Sequence, residues 1–331
     1  MTGKLLVVPW ADALWNKLAK QHAESRLPHA ILLTGHTGTG KIEFAQAFAH
    51  LLLCHQPSNH QPCGYCRSCE LLSSGNHPDL VHLHPAEAGK AIKVDQVREL
   101  LQFLHNTAQQ GGYRVVVMEP AENMNINAAN ALLKSLEEPG NNTLLLLVSH
   151  QPGQLMPTIR SRCQQVGFPM PNTDQATSWL SLQLGIEAER AGQLLRITQG
   201  APLKARTLYQ CDQVSFRASF MTSLADLLKA RTTAVTLAEK LYKEDLLQLL
   251  EWMHSILVDI ARLQADSETQ KISNADMFKM LNAVAKKTTA VKLYSLIDQL
   301  QSERISLMER HNPNRQLLLE TLLLGWVGLV R

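Results

Sequence analysis

Charge is scarce in this 331-residue chain. Asp, Glu, Lys and Arg make up 18% of it, and 32 Lys+Arg against 29 Asp+Glu leave a formal charge of +3 at neutral pH. So weak a field excludes a protein that coats nucleic acid through charge alone, and any anion has to be met locally. Long apolar runs are missing too: the longest, Leu144 to Val148, falls far short of the ~18 residues a spanning helix needs, and the start MTGKLLVVPWAD lacks the apolar core of a signal peptide. The chain is therefore expected to be soluble and cytoplasmic, with no membrane partner. Cysteine is limited to six residues, of which Cys163 and Cys211 stand alone while Cys54, Cys63, Cys66 and Cys69 fall within sixteen positions. Four so close together in a reducing compartment point to a metal site before a disulfide framework. There is no internal repeat and no low-complexity segment. What is abundant is apolar surface: 45% of positions belong to the AVILMFWYC set, which excludes a disordered tail and predicts two or three domains.

Along the first half, short apolar runs alternate with helical patterns. Helical spacing runs from Trp10 to Ala23 and breaks near Pro28; Ala30 to Leu33 reads as a strand, GHTGTGK as a glycine loop, and Ile42 to Leu53 as a helix. The pattern resumes after the cysteines with VHLH, the helix-compatible VDQVRELLQFLHNTA, the strand-like Val115 to Met118, the helical NAANALLKSLEEP ending at Pro139, and Leu144 to Val148. Such alternation predicts a parallel α/β sheet covered on both faces, with no comparable strand after about Val166. The prolines of GFPMPNT suggest a hinge, and the remainder is Leu-rich and helical. From Asp245 to Leu263, Leu246, Leu249, Leu250, Met253, Ile256, Leu257 and Ile260 recur at intervals of three and four, so that face is expected to be buried. The fold class predicted is α/β followed by all-α, with boundaries at 1–166, 167–210 and 211–331.

Gly35-His-Thr-Gly-Thr-Gly40-Lys41 fills seven of the eight places of a phosphate loop, between a strand and a helix. In such a loop Gly35, Gly38 and Gly40 let backbone N–H groups curl around a phosphate at a helix N-terminus, and Lys41 reaches the terminal phosphates. The eighth place calls for Ser or Thr to ligate Mg²⁺, and Ile42 stands there with no oxygen to offer. The matching acidic strand end is Glu119, which offers a carboxylate on a longer arm. It is followed by Pro120, which cannot polarise a water. No hydrolysis by this chain is expected. The loop either keeps weak ATP binding or persists because its turn and helix start hold the fold.

The cysteines are spaced Cys54-x8-Cys63-x2-Cys66-x2-Cys69. Cys-x2-Cys knuckles place two thiolates on one Zn²⁺, and a longer preceding loop can supply the rest of a tetrahedral set. Four sulfurs leave no open coordination position, so a structural zinc is expected, stapling the excursion onto the domain; free cysteines and a redox or iron–sulfur role are the alternatives. His55, His60 and His77 lie nearby, and Arg67 sits inside the knuckle.

Taken together, GHTGTGK, the four-cysteine insert after the next helix, ANALLKSLEEP and TIRSRC at 158 to 163 resemble the delta-prime family of bacterial DNA polymerase III clamp-loader subunits. The resemblance covers essentially the whole chain. It implies an AAA+ P-loop domain with a zinc module at 54–69, a small helical lid and a C-terminal helical collar. It further implies a hetero-pentamer with gamma/tau and delta subunits that loads a sliding clamp onto primed DNA. In such a ring Arg162 of Ser-Arg-Cys would act in trans on ATP held by a neighbouring gamma/tau subunit, with Arg160 the alternative. Ser149 or His150 would stand at the sensor position. Pro202-Leu203-Lys204 occupies the place where active subunits carry a lid arginine. Two other readings compete: an autonomous gamma/tau-like ATPase, against which Ile42 and Pro120 speak, and a zinc-dependent nucleic-acid-binding module, against which the low charge speaks.

Overall fold

In the computed structural model, which describes residues 8–87, 89–265, 272–308 and 313–331, the apolar runs of the first half pair side by side. Among the described residues the strands are β1 (Ala30–Thr34), β2 (Leu80–Leu83), β3 (Arg114–Met118), β4 (Thr143–Ser149) and β5 (Gln164–Gly167). They form one parallel sheet in the order β2-β3-β4-β1-β5, with Leu32 opposite Leu147 and Val116 opposite Leu145. Every residue of β3 and β4 is buried, as a strand covered on both faces requires. β5, read as Gln-Gln-Val-Gly, has no apolar run and was not foreseen as a strand; it lies at the sheet edge, pairs with β1, and is only half-buried.

Chain contacts divide the protein into two compact units: residues up to Leu180 with Ala201–Lys204, and Ser181–Gly200 with Ala205–Arg331. In the first, α1 (Asp12–Ala23) precedes β1 and α2 (Lys41–Leu53) follows the glycine loop. Next come α3 (Arg67–Ser73), α4 (Val94–His105), α5 (Ile126–Glu137), α6 (Pro157–Arg160) and α7 (Thr173–Leu184), which ends in the second unit. The sheet side chains Leu32, Val116, Met118, Leu145 and Leu147 pack in one buried cluster with Val97, Leu100 and Leu104 of α4, Leu132 and Leu136 of α5, and Ile159 and Cys163. α2 packs on β3 and β4, and its Phe44 and Phe48 meet Trp15 edge-on. Helix α5 begins where Asn125 Oδ1 accepts the Ala128 N–H at 2.8 Å and ends before Pro139, which drives Glu138 out of the helical region to φ −121°, ψ 72°.

The second unit is helical among its described residues. It contains α8 (Ala188–Ile197), α10 (Gln213–Leu228), α11 (Ala234–Leu241), α12 (Leu246–Ala265), α13 (Phe278–Lys287), α14 (Ala290–Met308) and α15 (Arg315–Gly328); α9 (Pro202–Gln210) begins in the first unit. All seven apolar residues expected on the inner face of α12 are buried. Asp259, fully buried, accepts the backbone N–H groups of Ser273 and Asn274 at 3.1 and 2.8 Å and the Asn274 amide at 2.7 Å, so its carboxylate is satisfied where it would otherwise be costly. Among the described residues, no helix is long and apolar enough to cross a membrane.

Leu147 of β4 has no exposed surface and belongs to the sheet–helix cluster. Leu147→Ala is expected to destabilise the first unit by about 3 kcal/mol, read as a lower denaturant midpoint for the sheet-containing transition.

Candidate functional site

The carboxyl ends of β1, β3 and β4, adjacent in the sheet, bring three sequence segments to one edge, the place where open α/β sheets meet ligands. From β1 the chain enters the glycine loop. Gly38 and Gly40 adopt φ of 75° and 102°, a region that favours glycine. A side chain at Gly38 would also strike Lys204, whose Cβ would lie 2.7 Å from it. The Leu203 N–H donates to the Gly38 carbonyl at 3.0 Å, and the Trp10 indole donates to the Thr39 carbonyl at 2.9 Å. Lys41 is 2% exposed, and its Nζ donates to the carbonyls of Gly35 and His36 at 2.7 and 2.6 Å. The loop is thus gripped from outside by Trp10 and Leu203 and from inside by its own lysine. Burial pushes the Lys41 pKa down to about 8, while Glu119, Glu122 and Glu43 pull it the other way. Ile42, the first turn of α2, is half-buried.

At the end of β3, Glu119 faces His150 across from β4, with Nε2 and Oε1 3.3 Å apart. The carboxylate expected to stand in for the metal ligand therefore has a protein partner. Glu122, not singled out from sequence, accepts the backbone N–H groups of His150 and Gln151 at 2.9 and 3.1 Å and so fixes the turn after β4. Among the described residues, the buried Glu122 Oε2, Ser149 Oγ and His150 Nδ1 have no hydrogen-bond partner; such atoms take ordered water.

Arg162 lies at another place, just after the four-residue α6. Its neighbour Cys163 is buried in the sheet–helix cluster, and burial pushes the thiol up to about 12, so it is an inert core anchor. Arg162 itself is about one-third exposed. Its Nε and Nη2 donate to Glu137 Oε1 at 2.8 and 2.5 Å, and its Nη1 to the Thr158 carbonyl at 3.0 Å. Arg160 is half-buried, with an Nε that is buried and unpartnered among the described residues. Glu137 was not singled out from sequence, although it lies inside the ANALLKSLEEP run; an acidic residue at a helix end carries no pattern that names its partner.

The four cysteines converge. The sulfurs of Cys54, Cys63, Cys66 and Cys69 all lie within 4.8 Å of one another, with Cys54–Cys66 at 4.0 Å and Cys63–Cys69 at 3.9 Å. A tetrahedron of Zn–S bonds places sulfurs about 3.8 Å apart, so the set fits a four-sulfur metal centre and not a disulfide. The Cys63 N–H points at Cys54 Sγ, 3.2 Å away. None of the nearby histidines joins the cluster. His77 instead pairs through Nε2 with the Ser68 hydroxyl at 2.8 Å, and Ser68 donates to the Leu53 carbonyl at 2.5 Å. His77 Nδ1 accepts the Asp79 N–H, so the ring proton sits on Nε2. Trp15 donates to the His60 carbonyl at 2.9 Å.

A parallel sheet with a glycine loop leaving β1, an acidic residue ending β3, and a helical C-terminal part define a P-loop-type α/β protein with a cysteine module in its first unit. Family models described as "DNA polymerase III, delta subunit" and "DNA polymerase III, delta subunit, C terminal" match residues 10–172 and 212–328. The chain is 42% identical over 326 residues to the DNA polymerase III subunit delta' of Pseudomonas aeruginosa, with 98% of each chain covered. It is 35% identical to that of Yersinia pestis and 32% identical to that of Escherichia coli strain K12, in each case over 96% of this chain and 94% of the relative. The chain belongs to the DNA polymerase III subunit delta' family.

Because folding lowers the Lys41 pKa from an ordinary 10.5 to about 8, the unfolded chain binds more protons between those values, and stability contributed at this position rises with pH across that window. The difference in unfolding free energy between wild type and Lys41→Met is expected to shift in favour of wild type as pH rises from 8 to 10.5, by at most about 3 kcal/mol. Parallel denaturant titrations at several pH values measure it.

Proposed function

We propose that this chain is a clamp-loader subunit that does not hydrolyse ATP itself and supplies Arg162 in trans to ATP bound by a neighbouring gamma/tau subunit. The observation that carries the reading is a contrast between two places on one domain. The chain's own phosphate loop lacks the Mg²⁺-ligating hydroxyl at Ile42 and the water-polarising carboxylate at Pro120, while its lysine is engaged by its own loop carbonyls. Arg162, by contrast, is partly exposed on a rigid base, where a guanidinium can meet charge developing on another chain's γ-phosphate. In this reading the protein joins gamma/tau and delta subunits in a hetero-pentamer that opens a sliding clamp and loads it onto primed DNA in the cytoplasm. Residues 1–166 are the nucleotide-binding-type domain, 167–210 a lid, and 211–331 a collar. Gly35, Gly38, Gly40 and Lys41 then serve the fold more than a nucleotide. Cys54, Cys63, Cys66 and Cys69 hold a structural Zn²⁺, whose chemistry is cross-linking alone.

In a ring reconstituted with gamma/tau and delta subunits, Arg162→Ala is expected to slow DNA-stimulated ATP hydrolysis at the adjoining site by about 10³-fold and to impair clamp loading, with assembly intact. Unchanged clamp loading together with unchanged hydrolysis would sink the finger. An isolated chain that hydrolyses ATP, and loses that activity in Lys41→Ala, would favour the autonomous ATPase instead.

Elemental analysis of the purified protein is expected to find one zinc per chain. Cys66→Ser is expected to lose it and to lower the unfolding midpoint by roughly 5 °C while the sheet persists. A metal-free wild type with full stability would exclude the zinc staple.

A further inference from the structure

We propose that Glu137 is a positioning residue for Arg162, holding its guanidinium in one orientation so that the N–H groups it leaves unpaired are available to a phosphate; the inference rests on the reading of Arg162 as acting in trans. The argument begins with donor arithmetic. A guanidinium has five N–H groups. Glu137 Oε1 takes the one on Nε and one on Nη2, and the Thr158 carbonyl takes one on Nη1. One N–H remains on each terminal nitrogen. Those two are what the side chain has left for the oxygens of a phosphate.

Both partners stand on anchored backbone. Glu137 closes α5 directly after Leu136, which is 2% exposed; Thr158 precedes Ile159, which is fully buried; and Arg162 precedes the core residue Cys163. Leu136, Ile159 and Cys163 belong to the same apolar cluster, so the spacing between acceptor and donor is set by the core and not by loop geometry. The contact has a further consequence for Glu137: a carboxylate at a helix C-terminus is unfavourable against the dipole, and Arg162 offsets it. With side chains 34% and 51% exposed, the pair adds little to stability. What it does is remove rotamer freedom from a long side chain that would otherwise sample many orientations.

The experiment uses the reconstituted ring with gamma/tau and delta subunits and reads DNA-stimulated ATP hydrolysis in Glu137→Ala, Glu137→Gln and Arg162→Ala rings. Thermal melting and size-exclusion chromatography check folding and assembly. Positioning predicts that Glu137→Ala lowers kcat at the adjoining site by about 10- to 100-fold with KM for ATP little changed. It further predicts that Glu137→Gln, whose amide oxygen still accepts from Nε and Nη2, recovers most of that loss. If Arg162→Ala slows hydrolysis while both Glu137 variants match wild type, the positioning role is overturned and the trans finger stands. A faster Glu137→Ala ring also overturns it, making the pair a restraint on Arg162. If Arg162→Ala is itself without effect, the trans reading fails first and takes this inference with it.

Discussion

Three strands without a polar interior residue, β3, β4 and β1, lie side by side in the sheet, and everything else in the first unit is hung from them. Their burial on both faces forces helices onto both sides. Their parallel alignment sends every carboxyl end to one edge, so the glycine loop, Glu119 and the Ser149–His150 turn meet there although they are far apart in sequence. The same strands supply one side of the apolar cluster that fixes α5 and the Arg162 segment. A methylene lost from this sheet is therefore felt at two separate places on the surface.

Those two places have opposite characters. At the sheet edge the polar groups are turned inward: Lys41 to the loop carbonyls, Glu119 to His150, Glu122 to two backbone amides. In the Arg162 segment the apolar member, Cys163, is turned into the core, while Arg162 lies partly exposed against Glu137 and the Thr158 carbonyl.

Much of this was legible in the sequence because it rests on local pattern. Uninterrupted Val and Leu runs announce buried parallel strands, glycine spacing announces the loop, Ile42 and Pro120 announce what the loop lacks, and Cys-x2-Cys spacing announces the sulfur cluster. What escaped depends on contacts distant in sequence. β5 is a strand because β1 offers it a free edge, not because Gln-Gln-Val-Gly favours one. Glu122 and Glu137 look like ordinary solvent-facing acids until the fold brings backbone amides to one and Arg162 to the other. Lys204 gives no sign, read alone, that it will close over Gly38.

The cysteine excursion is tied down more than once. Besides the sulfur cluster, Ser68 bridges the Leu53 carbonyl and His77, and Trp15 holds the His60 carbonyl. A segment clamped at its middle and at its far end has little chain entropy left to regain if its four sulfurs part. Parting of the four sulfurs would therefore be felt in the stretch around Cys63 and Cys66, between the two clamps, while the sheet beneath keeps its packing.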